Sequence, residues 1–563
     1  MTTNLAAQDV LFRVDRGTHL SLVDEGPGSH GEIFTREWIV DVILDMVGYK
    51  QDDDLATKTI VEPACGTGAF LRPIVARLSA SLRAHDRPLA DAVHAIKAFD
   101  LRMSNVIAAR KLVCEVLIAH RWIETEANEI AARWITAGDF LLLEQQSSSA
   151  DWVVGNPPYV RLEDIVSDRL AAYRSACPTM GGRADLYVGF FEFGLKMLKP
   201  EGKLGFICAD RWMKNQYGER LRQLVSSNFS VDATIVMHDV DAFEDDVSAY
   251  PAISVISRKS QKRSLVASTT SKFSVGDAAE LLSWAQQGKE SKLKTPHFSA
   301  AFLPTWFAGD SSWPWGSPER LELLEDLNDR FLPLESVDTG TRVGIGVATG
   351  RDHVFVVKGV DIEQDRLLPL VISGDTTHGI VEWSGHHLVN PWESDGSLIK
   401  LQAYPKLKAY FEAHAEELHK RNVAQRDQLR WYRTIDKVDA SLTSRSKLLF
   451  PDMKMRTHPV LDDGRFYPHH NLYYVVSDMW DPKVLGGLLL SKVAEFFVDS
   501  YAVKMRGGTL RFQAQYLRRI RVPRPDQISE SVAIALARAF DERDEELATA
   551  TAMQIYGITE IPE

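Results

Sequence analysis

Cysteine is scarce in this chain. The 563 residues hold four, Cys65, Cys114, Cys177 and Cys208, far apart and with no C-x-x-C pair. That excludes a disulfide framework and a zinc knuckle and points to a reducing compartment, the cytoplasm. Long apolar runs are missing too. Nothing approaches the roughly 18 uncharged apolar residues of a membrane span, and the stretch from Met1 to Val14 lacks a basic-then-apolar signal pattern. No membrane contact is therefore expected. Positive charge is in deficit: 65 Lys and Arg against 77 Asp and Glu give a formal charge of -12. A uniformly basic nucleic-acid coat is excluded, while a local basic groove is not. There is no internal repeat, no long low-complexity tract and no ligand cluster with metal spacing, so no metal is expected.

What is present is ordinary globular material, 45% hydrophobic and 25% charged. At roughly 100–200 residues per domain the length predicts two to four domains. Residues 1–30 are polar, with Glu25-Gly26-Pro27-Gly28-Ser29, and read as a flexible lead-in. From Thr35, a reasonable cap, Trp38, Ile39, Val42, Ile43, Met46 and Val47 recur at helical spacing. Strand-like runs then alternate with helical stretches: 59–61, 95–99, 134–136, 152–154, 204–207 and 234–237. Such alternation predicts an α/β domain of βαβ units with a mostly parallel sheet, its functional residues at the carboxyl ends of the strands. We place this domain at 31–258. The Ser/Thr/Lys-rich stretch that follows predicts a linker at 259–275. The remainder, 276–563, is expected to be α+β, with clear helical stretches at 404–425 and 529–549.

Two glycines, Gly66 and Gly68, follow the first strand in Val61-Glu62-Pro63-Ala64-Cys65-Gly66-Thr67-Gly68. The third glycine of a Rossmann dinucleotide turn is missing, and an acid, Glu62, precedes the pair. An acid there suits a cationic ligand, and S-adenosylmethionine, with an ammonium and a sulfonium, fits. A plain strand-to-helix turn is the alternative. Asp100, ending the second strand, suits ribose hydroxyls or a helix cap. Asp139-Phe140, ending the third, suits an adenine ring by hydrogen bond and packing, or neither.

Asn156-Pro157-Pro158-Tyr159 is the most informative tetrapeptide. Two prolines fix φ and remove two N–H donors, leaving a rigid, carbonyl-rich loop. An Asn oxygen and a proline carbonyl can then converge on one amino group and free its lone pair for attack on a methyl group. The Tyr159 ring offers a stacking face.

These motifs together resemble S-adenosylmethionine-dependent amino-group methyltransferases, and most closely DNA adenine-N6 methyltransferases of the gamma, TaqI-type arrangement. In that order cofactor motifs come first, the catalytic motif next and the target-recognition domain last. The resemblance implies a Rossmann-like catalytic domain followed by an α+β target-recognition domain. It implies that Phe34 and Thr35 help hold the methionine part of the cofactor, that Glu62 pairs with its ammonium, and that Ala64, Gly66 and Gly68 line the turn below. It assigns Asp100 to the ribose, with Leu101, Asp139, Phe140 and Phe190 around the adenine. Asn156, Pro157, Pro158 and Tyr159 become the catalytic motif. Phe243 becomes the second stacking face for a flipped base, although the proline usual after it is replaced by Glu244.

In the second half, Lys504, Arg506, Arg511, Arg518 and Arg519 lie in a stretch free of acids and are candidate DNA contacts. Gly344 to Gly350 resembles a recurrent segment of such recognition domains and lacks the Gly-Lys-Ser/Thr end of a phosphate loop. The expected activity is site-specific methylation of a flipped-out adenine in double-stranded DNA. The expected setting is a restriction–modification or phage-defence system in the bacterial nucleoid, with a monomeric enzyme and a separate cognate endonuclease. RNA and protein-glutamine amino-group methylation are the alternatives.

Overall fold

The structure is a computed structural model that describes residues 35–144, 148–238, 240–243, 251–314, 316–502 and 509–562. The lead-in 1–30, Phe34, Lys504 and Arg506 lie outside the described residues. The chain divides into two compact units, Met1–Glu319 and Arg320–Glu563.

Unit 1 is built on ten strands: β1 Ile60–Glu62, β2 Ile96–Asp100, β3 Ile135–Ala137, β4 Ala150–Gly155, β5 Leu198–Ala209, β6 Ser230–Val236, β7 Pro251–Ser257, β8 Ser264–Thr269, β9 Lys292–Lys294 and β10 Phe298–Leu303. Its helices are α1 Glu37–Val47, α2 Leu71–Ala84, α3 Met103–Ala119, α4 Glu124–Trp134, α5 Ser167–Ala176, α6 Tyr187–Met197, α7 Arg211–Lys214, α8 Glu219–Asn228 and α9 Val275–Gln287. All ten strands join one sheet in the order β3-β2-β1-β4-β5-β7-β6-β8-β10-β9. The β3-to-β5 part is parallel throughout. β7 then inserts antiparallel between β5 and β6, and the far edge is mixed.

Helices cover both faces of the parallel part, which is why β1 and most of β4 are buried end to end. Neighbouring residues of β5 show both faces at once. A Cβ on Gly205 would lie 2.6 Å from Val47 and 2.9 Å from Ile43 of α1. Leu204 points the other way, 3.0 Å from where a Cβ on Gly194 of α6 would stand. Helix α1 buries Ile39, Val40, Ile43 and Val47 and ends at Gly48, whose φ of +83° allows a left-handed stop. Thr35 does not cap α1. The helix begins at Glu37 after Arg36, and Thr35 instead forms a bridge to Phe243.

β1 lies between β2 and β4, so the chain runs outward one way through β3 and the other way from β4 onward. The crevice at the carboxyl ends of β1 and β4 is therefore the switch point where such sheets bind ligands.

The expected linker at 259–275 is not one. It contains β8, which pairs with β6 and β10, and leads into α9, whose Ser274 and Asp277 form a capping box. Serine and threonine suggested a loop, but β8 alternates Leu265 and Ala267 into the core, and the buried Ser264 hydroxyl donates to the Val231 carbonyl. The sheet thus runs on to Leu303, and the division between units falls at 319 and 320 instead of 276.

Unit 2 is α+β. One sheet joins Arg342–Ile345, Leu472–Val476, Lys447–Pro451 and Val460–Asp462; a second joins Val356–Val357, His387–Val389, Leu367–Val371 and Tyr467–Pro468. Helices Pro482–Leu490, Lys492–Tyr501, Glu530–Glu542 and Glu545–Tyr556 contribute Leu485, Phe497, Leu536 and Tyr556 to a shared core. The helix expected at 404–425 is three short ones, Pro405–Ala413, Ala415–His419 and Asn422–Arg426. It breaks at the extended Arg421, whose buried guanidinium donates to the carbonyls of Thr349, Trp431 and Arg433. The stretch expected at 529–549 turns at Arg543, φ +56°, where Asp544 caps the next helix. Gly344 and Gly346 permit close packing: a Cβ would stand 2.3 Å from the Tyr474 ring and 2.2 Å from the His469 carbonyl oxygen, respectively.

Candidate active site

A single cavity opens at the switch point. Its walls include Thr35, Glu62, Ala64, Gly66, Asp100, Leu101, Asp139, Phe140, Asn156, Pro157, Pro158, Tyr159 and Phe190. The fold thus gathers the ends of β1, β2, β3 and β4 into one place, as parallel strands of a βαβ sheet must.

Glu62 closes β1 and is 2% exposed. Burial pushes its carboxyl well above the usual carboxylate range, and the neighbouring Asp100 pushes it further. Its Oε2 has no hydrogen-bond partner among the described residues. A buried carboxylate in this state is completed by a cationic group.

Asp100 organises the turn. Its Oδ2 accepts the Gly66 N–H at 2.9 Å, and its Oδ1 accepts the Arg102 N–H at 2.9 Å and the Asn105 amide at 3.1 Å. Gly66 and Gly68 both have positive φ, +50° and +106°. Gly68 does not face the cavity. It makes room for α3, since a Cβ there would stand 2.6 Å from Leu112.

Asp139 accepts the Tyr173 hydroxyl at 2.6 Å, and the Arg169 guanidinium lies 3.8 Å away. Burial nevertheless holds the Asp139 carboxyl above its ordinary range. Phe140 stacks on Phe190 with centroids 5.6 Å apart and planes 19° off parallel. Together they make a flat apolar wall with a polar rim, suited to a heteroaromatic ring. Tyr173 and Arg102 also line the cavity and carried no sequence signal. Tyr173 arrives on α5, which no motif reaches.

At the end of β4, Asn156 donates its Nδ2 to Thr35 Oγ1 at 3.2 Å. The amide is thereby oriented, and its oxygen is the end that can accept. Pro157 and Pro158 follow without backbone donors. Among the described residues the buried Tyr159 hydroxyl has no partner, and burial raises its pKa well above the ordinary phenol value.

Phe243 is not brought to the cavity. It is 5% exposed, packs in the core cluster that contains α1 and forms a bridge to Thr35, which does line the cavity. The basic stretch of unit 2 is also altered by folding. Arg511 pairs with Asp452, and Arg518 pairs with Glu335 at 2.9 Å and donates to the Val343 carbonyl. Arg519 lies over the Tyr501 ring at 5.2 Å. A second cleft in unit 1, lined by Arg161, Arg183, Arg211, Glu163, Asp185, Asn215 and Tyr217, gathers basic residues outside the stretch expected to contact DNA. It begins two positions after Tyr159.

The Eco57I restriction-modification methylase family model matches residues 94–243. The Type II methyltransferase M.BstVI of Geobacillus stearothermophilus is 42% identical over 529 residues, covering 91% of this chain and 93% of that protein. M.PaeR7I of Pseudomonas aeruginosa is 41% identical over 96% of this chain and 94% of its own length, and M.XhoI of Xanthomonas vasicola is 40% identical over 95% and 98%. Among solved structures, the Type IIL restriction-modification enzyme MmeI in complex with DNA is similar at a TM-score of 0.49 and 13% identity, over 93% of this chain and 74% of that one. With identity of this order across nearly the whole of three relatives, and with the strand-end cavity in place, the chain belongs to the Type II DNA methyltransferases.

Proposed function

We propose that this methyltransferase modifies the N6 amino group of an adenine rotated out of duplex DNA, as the modification partner of a separate restriction endonuclease. The observation that carries the reading is that Asn156 and Pro157 share one cavity with Glu62 and Asp100. An amino-group clamp and a cation site thus face the same space.

S-adenosylmethionine is the cofactor and supplies an electrophilic methyl group on sulfur. The buried Glu62 oxygen without a partner fits its ammonium, and the Phe140–Phe190 wall beside Asp139 fits its adenine. Asn156 Oδ1 and the Pro157 carbonyl accept the two N–H bonds of the target amine. That draws the nitrogen toward tetrahedral geometry and localises its lone pair for attack. The proton turns acidic only once the new N–C bond forms, so no strongly shifted base is needed. Placement of these groups in a site shielded from water supplies most of the rate. The Tyr159 ring stacks on the base, and the target must leave the helix because its amino group is paired and stacked there. Asn at the first motif position favours adenine over cytosine.

Unit 2 reads the target sequence. The arginines at 161, 183 and 211 receive backbone phosphates beside the catalytic loop. The enzyme works as a monomer in the bacterial cytoplasm.

The test is transfer of labelled methyl to duplex DNA, single-stranded DNA, RNA and protein, with Asn156→Ala alongside. N6-methyladenine in duplex DNA, lost in the variant while cofactor binding persists, is expected. Turnover retained by Asn156→Ala overturns the mechanism, and label confined to RNA or protein overturns the substrate.

A further inference from the structure

In unit 2, far from the motifs of unit 1 in sequence, Asp352, His469 and His470 converge. One ligand atom from each lies within 4.8 Å of the others. His469 and His470 are consecutive, and consecutive side chains of an extended strand point to opposite sides. Here the chain turns after Tyr467–Pro468, and the two rings approach to 4.1 Å between centroids. Both then face one carboxylate.

The hydrogen bonds around His469 single out this cluster from a surface ion pair. Its Nδ1 lies 3.0 Å from Asn471 Oδ1, and its Nε2 lies 3.2 Å from Asp352 Oδ2. Both neighbours are oxygen acceptors. A neutral imidazole has a single N–H. With Nδ1–H given to Asn471, the Nε2 lone pair faces a carboxylate oxygen, a contact that is repulsive until a cation stands between them. Orientation of a histidine by a carbonyl on its far nitrogen is how metal-ligating imidazoles are commonly held. Asp352 is prepared in the same way. Thr349, fully buried, donates its hydroxyl to Oδ1 at 2.6 Å and leaves Oδ2 for the site. Ligands at about 2.0–2.1 Å from a tetrahedral ion stand roughly 3.3 Å apart, and the His469–Asp352 pair is already at that separation.

The geometry points to a divalent transition-metal site of the zinc class at Asp352, His469 and His470, with water as the fourth ligand. Two imidazoles and one carboxylate suit zinc and not magnesium, which takes oxygen ligands in an octahedron. The ion is structural. It fastens the turn after the Gly-rich stretch 344–350 to the segment 469–470, where Val347 and His469 already form an isolated bridge. No spacing signal marks this cluster, because the carboxylate and the histidines are more than a hundred positions apart.

The experiment uses the full-length protein freed of metal by a chelator. Zinc is titrated by calorimetry, and melting is followed with and without zinc or magnesium. One equivalent of zinc and a higher melting temperature are expected, with no response to magnesium. His470 is exposed, so His470→Ala should melt like the wild type in chelator yet lose the equivalent and the zinc-dependent rise. Asp352→Asn should weaken binding tenfold or more. Cobalt in place of zinc should give the visible bands of a tetrahedral site, absent in His470→Ala. Zinc stoichiometry unchanged in His470→Ala, or no zinc-dependent rise in the wild type, overturns the proposal. In the first case other histidines hold the ion, and in the second the His469–Asp352 contact is a hydrogen bond that holds no ion.

Discussion

The side-chain amide of Asn156 donates to the hydroxyl of Thr35 at 3.2 Å, joining residues from the end of β4 and the approach to α1. Thr35 is itself fixed, by its bridge to Phe243 and by burial to 3% exposure. The Asn156 amide is thus oriented by a residue 121 positions away, with its oxygen left as the end that accepts.

Removing that orienting hydroxyl should slow the reaction without dismantling the site. A hydrogen bond of this kind contributes about 1 kcal/mol. Thr35→Val should therefore lower kcat roughly fivefold with little change in the KM for DNA, and Thr35→Ser should restore it. Steady-state kinetics of both variants checks this. A change confined to KM would assign Thr35 to binding alone.

Glu62 predicts opposite effects on stability and cofactor affinity. Its folded-state carboxyl is raised by burial and by Asp100. Between the ordinary carboxylate range and that raised value, the folded protein holds a proton that the unfolded chain has released. Stability of the free protein should then fall as pH rises through this window. Glu62→Gln should remove that part of the slope and melt higher near neutral pH, while binding S-adenosylmethionine roughly tenfold or more weakly, the scale of a lost charged hydrogen bond. Melting against pH and cofactor calorimetry read the two effects separately.

The arginine cleft of unit 1 should govern the salt dependence of DNA binding. Arg161 and Arg183 are exposed there, and replacing both by Gln should lower the slope of log affinity against log salt by about 1–2, with cofactor affinity unchanged. Arg518→Gln, which loses a partner already paired with Glu335, should change the slope less. Equal slopes in the double variant and the wild type would exclude the cleft from phosphate contact.

Unit 2 contains an ion pair with both side chains at 0% exposure, Lys447 and Asp462 at 2.7 Å, on directly paired residues of neighbouring strands. Lys447 also donates to the carbonyls of Leu442 and Arg445, and Asp462 accepts the N–H groups of Arg465 and Phe466. Removing one partner leaves a buried charge. Asp462→Ala should destabilise by about 3–5 kcal/mol, measured by denaturant unfolding of the full chain. Lys447→Met combined with Asp462→Leu should cost less than the single change.

The amino-acid sequence alone determined where chemistry collects. Strands covered on both faces are mostly apolar, so a polar residue that closes such a run stands out at its carboxyl end. Glu62, Asp100, Asp139 and Asn156 were legible for that reason, and the structure brings all four to one cavity. Glycines and prolines were legible because their backbone restrictions are local.

Tertiary structure decided whatever depends on a partner distant in the chain. Ser264 to Thr269 is a strand because β6 and β10 supply its ladder partners and Val231 accepts the buried Ser264 hydroxyl, which composition does not encode. Phe243 joins Thr35 and the core cluster that contains α1, and Arg511 and Arg518 are paired with acids 59 and more than 180 positions away. Tyr173 reaches Asp139, and Asp352 reaches His469, on the same terms. Hydrophobic periodicity and turn chemistry act over a few residues and leave a local trace. Charge pairing and the satisfaction of buried polar groups act through space, and only the folded chain specifies which residues meet.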